Sequence, residues 1–307
     1  MIDFSKKPLF LAPLAGFSDL PLRSVVKKFG CDVTVSEMIS ANALVYESSD
    51  KTFEMIKKSP NEEPYVVQIA GNDTENIKKA VQIINKFDGI YGLDLNCGCP
   101  VPKVVRQGAG SALLNDLNKL QNIISAIKSV SNKDSLSVKF RLGFNDKNEE
   151  KIAKACEEAG ANYIAVHGRT RAGGYSAKVD YEAIARVKAS VKIPVVANGD
   201  INAQNADEIL YLTKCDALMI GRASIGNPWI FHEIKTKTSV DKALKQKIIL
   251  AHFDAMIEHY GEHGLCIFRK HLHQYSKGID GATTFRNDIN FIKDMAAMRE
   301  RIREFFA

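Results

Sequence analysis

Short apolar runs rich in β-forming residues recur eight times in the first 220 residues, and this recurrence constrains the fold most strongly. They lie at residues 9–12, 33–36, 66–69, 92–95, 137–140, 163–166, 194–197 and 217–220. Most are separated by segments with apolar residues three and four apart, the spacing of an amphipathic helix. Strands that are apolar throughout are typical of parallel sheets, and eight of them alternating with helices predict a (β/α)8 TIM barrel. A doubly wound sheet also alternates, but it usually has fewer strands and a glycine-rich first turn, which is absent here.

The alternation stops after Trp229, and from residue 239 to residue 307 the sequence shows only helical periods. Two apolar stripes stand out in this segment: Ile249, Phe253, Met256 and Tyr260, and then Phe291, Met295, Met298, Ile302 and Phe305. Stripes of this kind bury one face of a helix against its neighbours. We therefore expect two domains, a TIM barrel over residues 1–238 and a small all-α helical bundle over residues 239–307.

Composition excludes several classes of protein. The 307 residues are 45% hydrophobic and 25% charged, which rules out disorder and a disulfide-stapled mini-protein. Lys and Arg exceed Asp and Glu by 42 to 36, a mild excess that permits a polyanionic partner without requiring one. The cysteines show no paired CxxC spacing, so we expect reduced thiols and no metal. No apolar run is long enough for a membrane span, and we expect a cytoplasmic, monomeric protein.

In TIM barrels the catalytic and binding residues lie at the carboxyl ends of the strands, so we expect them directly after each run. These ends read PLAG, SEM, QIAG, NCGCP, KFR, HGRTR, ANGD and IGR in chain order. The seventh and eighth bring glycine N–H groups and Arg222 to the place where barrels commonly bind phosphate. The sequence therefore predicts a phosphorylated cofactor or substrate.

Two cysteines lie in the long loop at residues 96–110. A metal site there lacks further ligands at suitable spacing. Cys97 fits a structural role, whereas Cys99, between Gly98 and Pro100, has the rigid, exposed setting of a reactive thiol.

Two further strand-end residues, Lys139 and His167, allow two interpretations. Lys139 either forms a salt bridge to a barrel carboxylate such as Glu37 or contacts an electron-rich cofactor. His167 is either a hydrogen-bonded residue of the mouth or part of the site. Their position on one rim favours a functional role for both.

The C-terminal segment contains five of the seven histidines and a basic stripe. His259 and His263 have the spacing of a ligand pair, but Gly261 between them predicts a helix end, so we do not expect a metal there. The stripe consists of Arg269, Lys270, His273 and Lys277. It is either a solvated helix face or a contact to a phosphate backbone.

Taken in order, the motifs resemble those of the tRNA-dihydrouridine synthases, flavin enzymes that reduce specific uridines in tRNA. The resemblance covers residues 13–229 and rests on PLAGFSDLPLR, TVSEMIS, QIAG, DLNCGCP, GSALL, KFRLG, HGRTR, ANGDI and DALMIGRA. The RKH run at residues 269–271 is similar to the bacterial B-type enzymes. PLAG in place of the commoner PMAG and the extra thiol of Cys97 are departures, and neither removes a group that the chemistry needs.

The resemblance implies an FMN-containing barrel and a helical tRNA-binding domain. NADPH would reduce the flavin, which would pass a hydride to C6 of uracil while Cys99 protonates C5. The implied FMN contacts are Pro13, Leu14, Ala15, Gln68, Lys139, His167, Asn198, Gly199, Asp200, Gly221 and Arg222. Asn96 would touch the target uracil. The basic stripe and the barrel rim add expected RNA contacts from Arg169, Arg171, Arg269, Lys270 and Lys277.

Two rival functions remain at this point. The first is an FMN-dependent barrel that acts on a free small-molecule pyrimidine, and the basic helical segment argues against it. The second is a non-catalytic RNA-binding factor. The intact Cys99 and the full set of cofactor positions argue against that interpretation.

Overall fold

The computed structural model describes residues 1–47 and 49–307, and it confirms the TIM barrel. The described strands are β1 (Leu9–Leu11), β2 (Val33–Val35), β3 (Ile39–Ser40), β4 (Tyr65–Ala70), β5 (Gly92–Cys97), β6 (Ser135–Arg141), β7 (Tyr163–His167), β8 (Val195–Asn198) and β9 (Ala217–Ile220). All pairings are parallel, β1 pairs with both β2 and β9, and the pairing of β2 with β4 closes the barrel. The two-residue β3 only extends the edge of β4. Each predicted run corresponds to one of the eight barrel strands.

Helices cover the outside of the barrel. They are α1 (Leu20–Lys28), α2 (Asp50–Glu54), α3 (Thr74–Ile84), α4 (Pro102–Arg106), α5 (Leu117–Val130), α6 (Glu149–Glu158), α7 (Tyr181–Ser190), α8 (Ala206–Thr213) and α9 (Ile230–Thr236). α3 shows why such segments form helices: the Asp73 side chain accepts a hydrogen bond from the Asn76 N–H at 2.8 Å, and an apolar stripe is buried against the sheet. The short α4 and a 3-10 turn at Gly110–Asn115 shape the long loop after β5.

The barrel interior is a packed apolar core. Side chains from alternate strand positions fill it, among them Phe10, Val66, Ala165 and Met219. Phe4 closes the amino-terminal end, where its ring lies 5.4 Å from that of Tyr163. The only open end of this interior is therefore the carboxyl end of the strands, since the rest is filled by side chains of the described residues.

Four helices form the C-terminal region: α10 (Lys242–Tyr260), α11 (His263–Tyr275), α12 (Ala282–Phe291) and α13 (Met295–Phe305). They share an apolar core that also includes Val25 of α1 and Trp229, so this region packs directly on the barrel. Among residues 1–47 and 49–307, none of the helices combines the length and the hydropathy of a transmembrane segment.

The second predicted apolar stripe is wrong at its amino-terminal end. The predicted helix is interrupted, since α12 ends at Phe291 and α13 begins at Met295. The Asp294 side chain accepts a hydrogen bond from the Ala297 N–H at 2.7 Å and so caps the start of α13. Phe291 lies before this break and is 82% exposed, whereas Met298 and Ile302 are buried as expected.

Candidate active site at the mouth of the barrel

Strand alternation places polar side chains in one layer at the open end of the barrel. Because successive side chains of a strand point to opposite faces, the residue two positions beyond an interior residue also points inward. Ala165 is thus followed by His167, and Met219 by Gly221. The layer contains Gln68, Asn96, Lys139, His167 and Asn198, with Asn96 beside Lys139 and His167 beside Asn198 in the strand register.

A chain of buried hydrogen bonds crosses this layer. Ser137 Oγ donates to Asp94 Oδ1 at 2.6 Å, and Gln68 Nε2 donates to Asp94 Oδ2 at 2.7 Å. Gln68 Oε1 in turn accepts from Asn96 Nδ2 at 2.8 Å. Burial raises the pKa of Asp94 to about 6. Because an ionised carboxylate only accepts hydrogen bonds, this chain determines how the amides of Gln68 and Asn96 are oriented.

The backbone of Cys99 is held from both sides. Asn96 Oδ1 accepts from the N–H groups of Gly98 and Cys99 at 3.1 and 2.9 Å. Ser111 donates to the Cys99 carbonyl through its N–H and its hydroxyl, at 3.1 and 2.9 Å. Gly110 allows this close approach, since a Cβ there would lie 3.0 Å from the Cys99 oxygen and its φ is +61°. The Cys99 side chain is half-buried and lines a cavity.

Cys97 lies in a different environment. It is fully buried in the core between the sheet and the helices. This burial raises the pKa of its thiol well above the usual range. A buried, protonated thiol is unreactive, which agrees with the structural role that the sequence suggests for Cys97.

Lys139 faces the mouth without a carboxylate partner. Its Nζ donates to Asn198 Oδ1 at 3.0 Å, and Asn198 Nδ2 donates to the Met219 carbonyl at 2.8 Å. Glu37, the expected partner, accepts instead from the Gly16 N–H, and no ion pair to Lys139 occurs among residues 1–47 and 49–307. Burial lowers the pKa of Lys139 to about 8. An ammonium in this setting favours an electron-rich or anionic ligand.

His167 is neutral near pH 7. Burial and the nearby cations Lys139 and Arg141 lower its pKa to about 2. Its Nε2 lies 3.4 Å from Nη1 of Arg169. Since a guanidinium only donates hydrogen bonds, Nε2 accepts and the ring proton is on Nδ1.

Asp200 joins two arginines that the sequence assigned to different tasks. It accepts from Arg169 Nη2 at 2.5 Å and from Arg222 Nη2 at 2.5 Å. Arg169 is only 4% exposed and also donates to the Ala177 carbonyl. The expected RNA contact of Arg169 therefore does not fit the structure, because its guanidinium is buried and bonded within the protein. Arg222 is half-exposed, and its guanidinium lies 4.9 Å from the ring of Tyr175.

One cavity of about 440 Å³ opens among the loops that follow β1, β7, β8 and β9. Gly221 leaves room in its wall, since the nearest atom to a Cβ built there is 3.8 Å away. Three consecutive backbone N–H groups lie at this wall, those of Gly221, Arg222 and Ala223. None of them donates a hydrogen bond to a backbone carbonyl of the described residues. Free N–H donors beside an arginine are the groups that bind a phosphate.

A second cavity of about 410 Å³ adjoins the first and contains Cys99. Pro13, Leu14, Lys139, His167 and Arg222 line both cavities. Asn198, Gly199, Asp200 and Gly221 line only the first, whereas Ala15, Gln68 and Asn96 line only the second. The structure thus brings all the expected cofactor residues together with Cys99 and Asn96.

Sequence reasoning missed Tyr175. This tyrosine is 54% exposed and lines both cavities. Its ring centroid lies 4.9 Å from the guanidinium carbon of Arg222 and 5.1 Å from that of Arg141. The only signal in the sequence is an aromatic residue directly after Gly173 and Gly174 in the loop that follows the HGRTR motif.

Arg141 was also missed, although it ends the KFR motif two residues after Lys139 and therefore points inward. It is 2% exposed. Its guanidinium donates to the Gly98 carbonyl at 2.8 Å and to the Gly174 carbonyl at 2.9 Å. Arg141 thus fastens the loop of Cys99 to the loop of Tyr175.

Two cations of the RKH run have different surroundings. Lys270 lies at the barrel mouth, with Nζ 5.4 Å from the ring of Phe17 in the loop after β1. Arg269 donates to the Ile292 carbonyl at 2.9 Å, between α12 and α13, and its Nε is buried. Arg269 is half-buried and has this partner within the protein, so its contact with RNA stays a prediction.

The remaining expected RNA contacts are accessible. Arg171 is half-buried at the rim, with its guanidinium 4.8 Å from the ring of Phe144. Lys277 is exposed just beyond the end of α11. Residues 239–307 contain eleven Lys and Arg against nine Asp and Glu. The net charge of this region is only +2. Any contact with RNA therefore depends on where its cations lie and not on their number.

The family follows from a comparison with known proteins. The model of the family described as Dihydrouridine synthase (Dus) matches residues 10–307. The chain belongs to the dihydrouridine synthase family. A probable tRNA-dihydrouridine synthase of Helicobacter pylori J99 is 50% identical to it, over 99% of this chain and 94% of that one. The tRNA-dihydrouridine synthase B of Pseudomonas aeruginosa is 38% identical, over 97% of this chain and 92% of that one.

Solved structures support the fold of this family member. An old yellow enzyme homologue from Zymomonas mobilis superposes with a TM-score of 0.57 at 13% identity, covering 77% of this chain and 90% of that one. Morphinone reductase in complex with tetrahydroNAD gives a TM-score of 0.54 at 12% identity, covering 76% and 87%. At such low identity these likenesses concern the barrel architecture alone.

Proposed function

We propose that this protein reduces uridines in tRNA to 5,6-dihydrouridine, with FMN bound at the barrel mouth and NADPH as the reductant. The observation that carries the proposal is the pair of adjoining cavities. One offers phosphate-binding groups, the other contains Cys99, and Lys139 and His167 line both. The names of the Helicobacter and Pseudomonas relatives point to the same reaction.

The residues of the first cavity fit FMN. The N–H groups at Gly221 and Ala223, with Arg222, suit its phosphate. Lys139 suits the electron-rich part of the flavin ring, because among the described residues its ammonium bonds only to the neutral Asn198. Neutral His167 accepts or donates a hydrogen bond without adding charge. A reduced flavin bound there would supply the hydride.

Cys99 is the proposed proton donor. Hydride addition at C6 of uracil leaves an electron pair at C5, which takes the proton from the Cys99 Sγ. The loop position and the fixed backbone of Cys99 let the thiol reach over a bound base. Arg141, bonded to the neighbouring Gly98 carbonyl, lies close enough to stabilise the thiolate that remains. Asn96 keeps one amide N–H free for a carbonyl of the base.

A tRNA uridine is stacked inside folded RNA, so it must turn outward to enter the second cavity. Phosphates around it would then meet the rim of the mouth. We assign this contact to Lys270 and Arg171, with Lys277 extending it along the helical region. Residues 239–307 would therefore act as a tRNA-binding domain.

The test separates the two half-reactions in the Cys99→Ala variant. We expect this variant to bind FMN and to be reduced by NADPH at the wild-type rate, because no FMN-binding role is assigned to the thiol. Oxidation of the reduced protein by tRNA that lacks dihydrouridine should fall by roughly 10²–10⁴, the range for a positioned general acid. Stopped-flow absorbance of the flavin under anaerobic conditions measures both steps.

Cys97→Ala is the matched control, since it removes a thiol only two residues away, at the end of β5, that lies outside both cavities. Its reduced form should be oxidised by tRNA at close to the wild-type rate. Loss of transfer in this variant alone would show that the proton donor is misassigned. Oxidation by free uridine as fast as by tRNA would favour a small-molecule reductase. A purified protein without flavin would favour an RNA-binding factor.

A further inference from the structure

Three ligand-type side chains meet in a buried space between the barrel and the helical region. They are Asp19, from the loop between β1 and α1, His252 of α10 and His271 of α11. Their exposed fractions are 4%, 0% and 1%. One ligand atom from each lies within 4.8 Å of the others. The three residues are up to 252 positions apart in sequence, so only the packing of α10 and α11 on the barrel brings them together.

Each of the two histidines has a ring nitrogen without a partner. Nε2 of His252 and Nε2 of His271 are both buried and without a hydrogen bond to any described residue. A buried polar nitrogen without a partner is costly and rare, so each one needs an explanation. The imidazoles lie 4.7 Å apart and nearly perpendicular, and no hydrogen bond joins them or Asp19 in residues 1–47 and 49–307.

We infer that Asp19, His252 and His271 bind a divalent transition-metal ion, Zn²⁺ or an ion of similar preference. Two imidazole nitrogens and one carboxylate oxygen form a common set of protein ligands for zinc. The carboxylate also supplies negative charge at a buried site. The remaining coordination position is open to a water molecule.

The groups around the cluster support this assignment. His252 Nδ1 lies 2.9 Å from the hydroxyl of Tyr275. Metal-binding imidazoles usually bond their second nitrogen in this way, which determines which nitrogen faces the metal. Tyr260 donates to Asp19 Oδ2 at 3.3 Å, and the other carboxylate oxygen accepts from the Leu22 N–H at 3.2 Å.

The proposed ion would hold the helical region against the active-site mouth. Asp19 follows the loop of residues 13–17, which lines both cavities. The ring centroid of His271 lies 5.4 Å from that of Phe17 in that loop. His271 is also next in sequence to Lys270, which lies at the rim. The inference departs from the sequence expectation of no metal, which weighed only cysteine spacing and the pair His259 and His263. It does not depend on the proposed cofactor or substrate.

The test is metal binding by the full-length protein. After dialysis against EDTA and removal of the chelator, we expect it to bind about one equivalent of Zn²⁺ or Co²⁺. Metal content after gel filtration measures the stoichiometry. Bound Co²⁺ should give visible ligand-field absorption that added Zn²⁺ abolishes. Wild-type protein that retains no more metal than the His271→Gln variant would overturn the inference.

Variants locate the ion. His252→Gln and His271→Gln should each lower Zn²⁺ affinity by at least about tenfold, whereas His263→Gln, an exposed histidine of the same helix α11, should bind as the wild type does. Equal losses in all three variants would overturn the site.

A milder variant keeps the test decisive if the glutamine variants fail to fold. Tyr275→Phe keeps all three ligands and removes only the hydroxyl beside His252, so it should weaken Zn²⁺ binding by about 10-fold or more. Zn²⁺ should also raise the thermal midpoint of the wild type more than that of Tyr275→Phe. Wild-type protein whose midpoint does not respond to Zn²⁺ would speak against the inference.

Discussion

Raising the pH from 7 to 9 is expected to weaken FMN binding because it removes the charge of Lys139. Burial is the main reason that the pKa of this ammonium falls to about 8; nearby Arg141 lowers it further and Asp94 opposes the shift. Two groups near Lys139, the His167 imidazole and the Asp94 carboxyl, have pKa values below this range. The pKa of His167 is about 2 and that of Asp94 about 6.

The magnitude follows from the protonated fraction of Lys139. With a pKa of about 8, this fraction falls from about nine tenths at pH 7 to about one tenth at pH 9. If only the ammonium form binds FMN tightly, the dissociation constant rises about tenfold across the window. The stability of the cofactor-free protein should change in the opposite direction. The unfolded chain binds this proton more tightly than the folded one, so the contribution of Lys139 to stability rises with pH between about 8 and about 10.5.

The assay is the quenching of FMN fluorescence on titration with cofactor-free protein at pH 7, 8 and 9 and constant ionic strength. Lys139→Met is the matched control, since it keeps the length of the side chain and removes its charge. This variant should bind weakly and with no pH dependence over the window. A constant wild-type affinity, or an equal pH dependence in the variant, would refute the assignment of Lys139 to the cofactor.

Two other substitutions test the remaining contacts. Arg222→Ala should weaken FMN binding by about 1.5–3 kcal/mol, with the lower value favoured because the side chain is half-exposed. In the same titration the control variant Arg171→Ala should bind FMN as the wild type does. Equal FMN affinity in both variants would place the phosphate elsewhere. Replacing Lys270 and Lys277 with Ala should lower the slope of log tRNA affinity against log salt by roughly 0.7–0.9 per contact removed, measured by filter binding. Lys79→Ala, an exposed lysine of α3, should leave the slope unchanged. If the double variant has the same slope as this control, the stripe is a solvated face.

Much of the site could be predicted because a strand has a period of two. Once a run such as residues 163–166 is assigned to a barrel strand, His167 must lie at its carboxyl end, on the same face as residues 163 and 165. The same argument applies to Gln68, Lys139 and Asn198. The motifs that follow the strands indicate which chemistry they carry, since residue type and position at the strand end are both local properties of the sequence.

Exposure could not be predicted in this way. Arg169 and Arg269 look like free cations in the sequence, but the first is bonded to Asp200 and the second to the Ile292 carbonyl. Their partners lie 31 and 23 residues away along the chain. Whether an arginine contacts RNA or the protein itself depends on such partners, which the local pattern does not contain.

The sequence by itself determined the barrel, the helical C-terminal region and the layer of polar residues at the strand ends, because the periods of 2 and 3.6 residues are set by backbone geometry. Only the tertiary structure decided which groups meet. Arg141 reaches Gly98 and Gly174 from the end of β6. Asp19 approaches His252 where the helical region packs on the barrel. Such contacts join distant parts of the chain, and the physical reason is that burial and hydrogen-bond partners arise from the packing of whole elements, not from the spacing of residues within one.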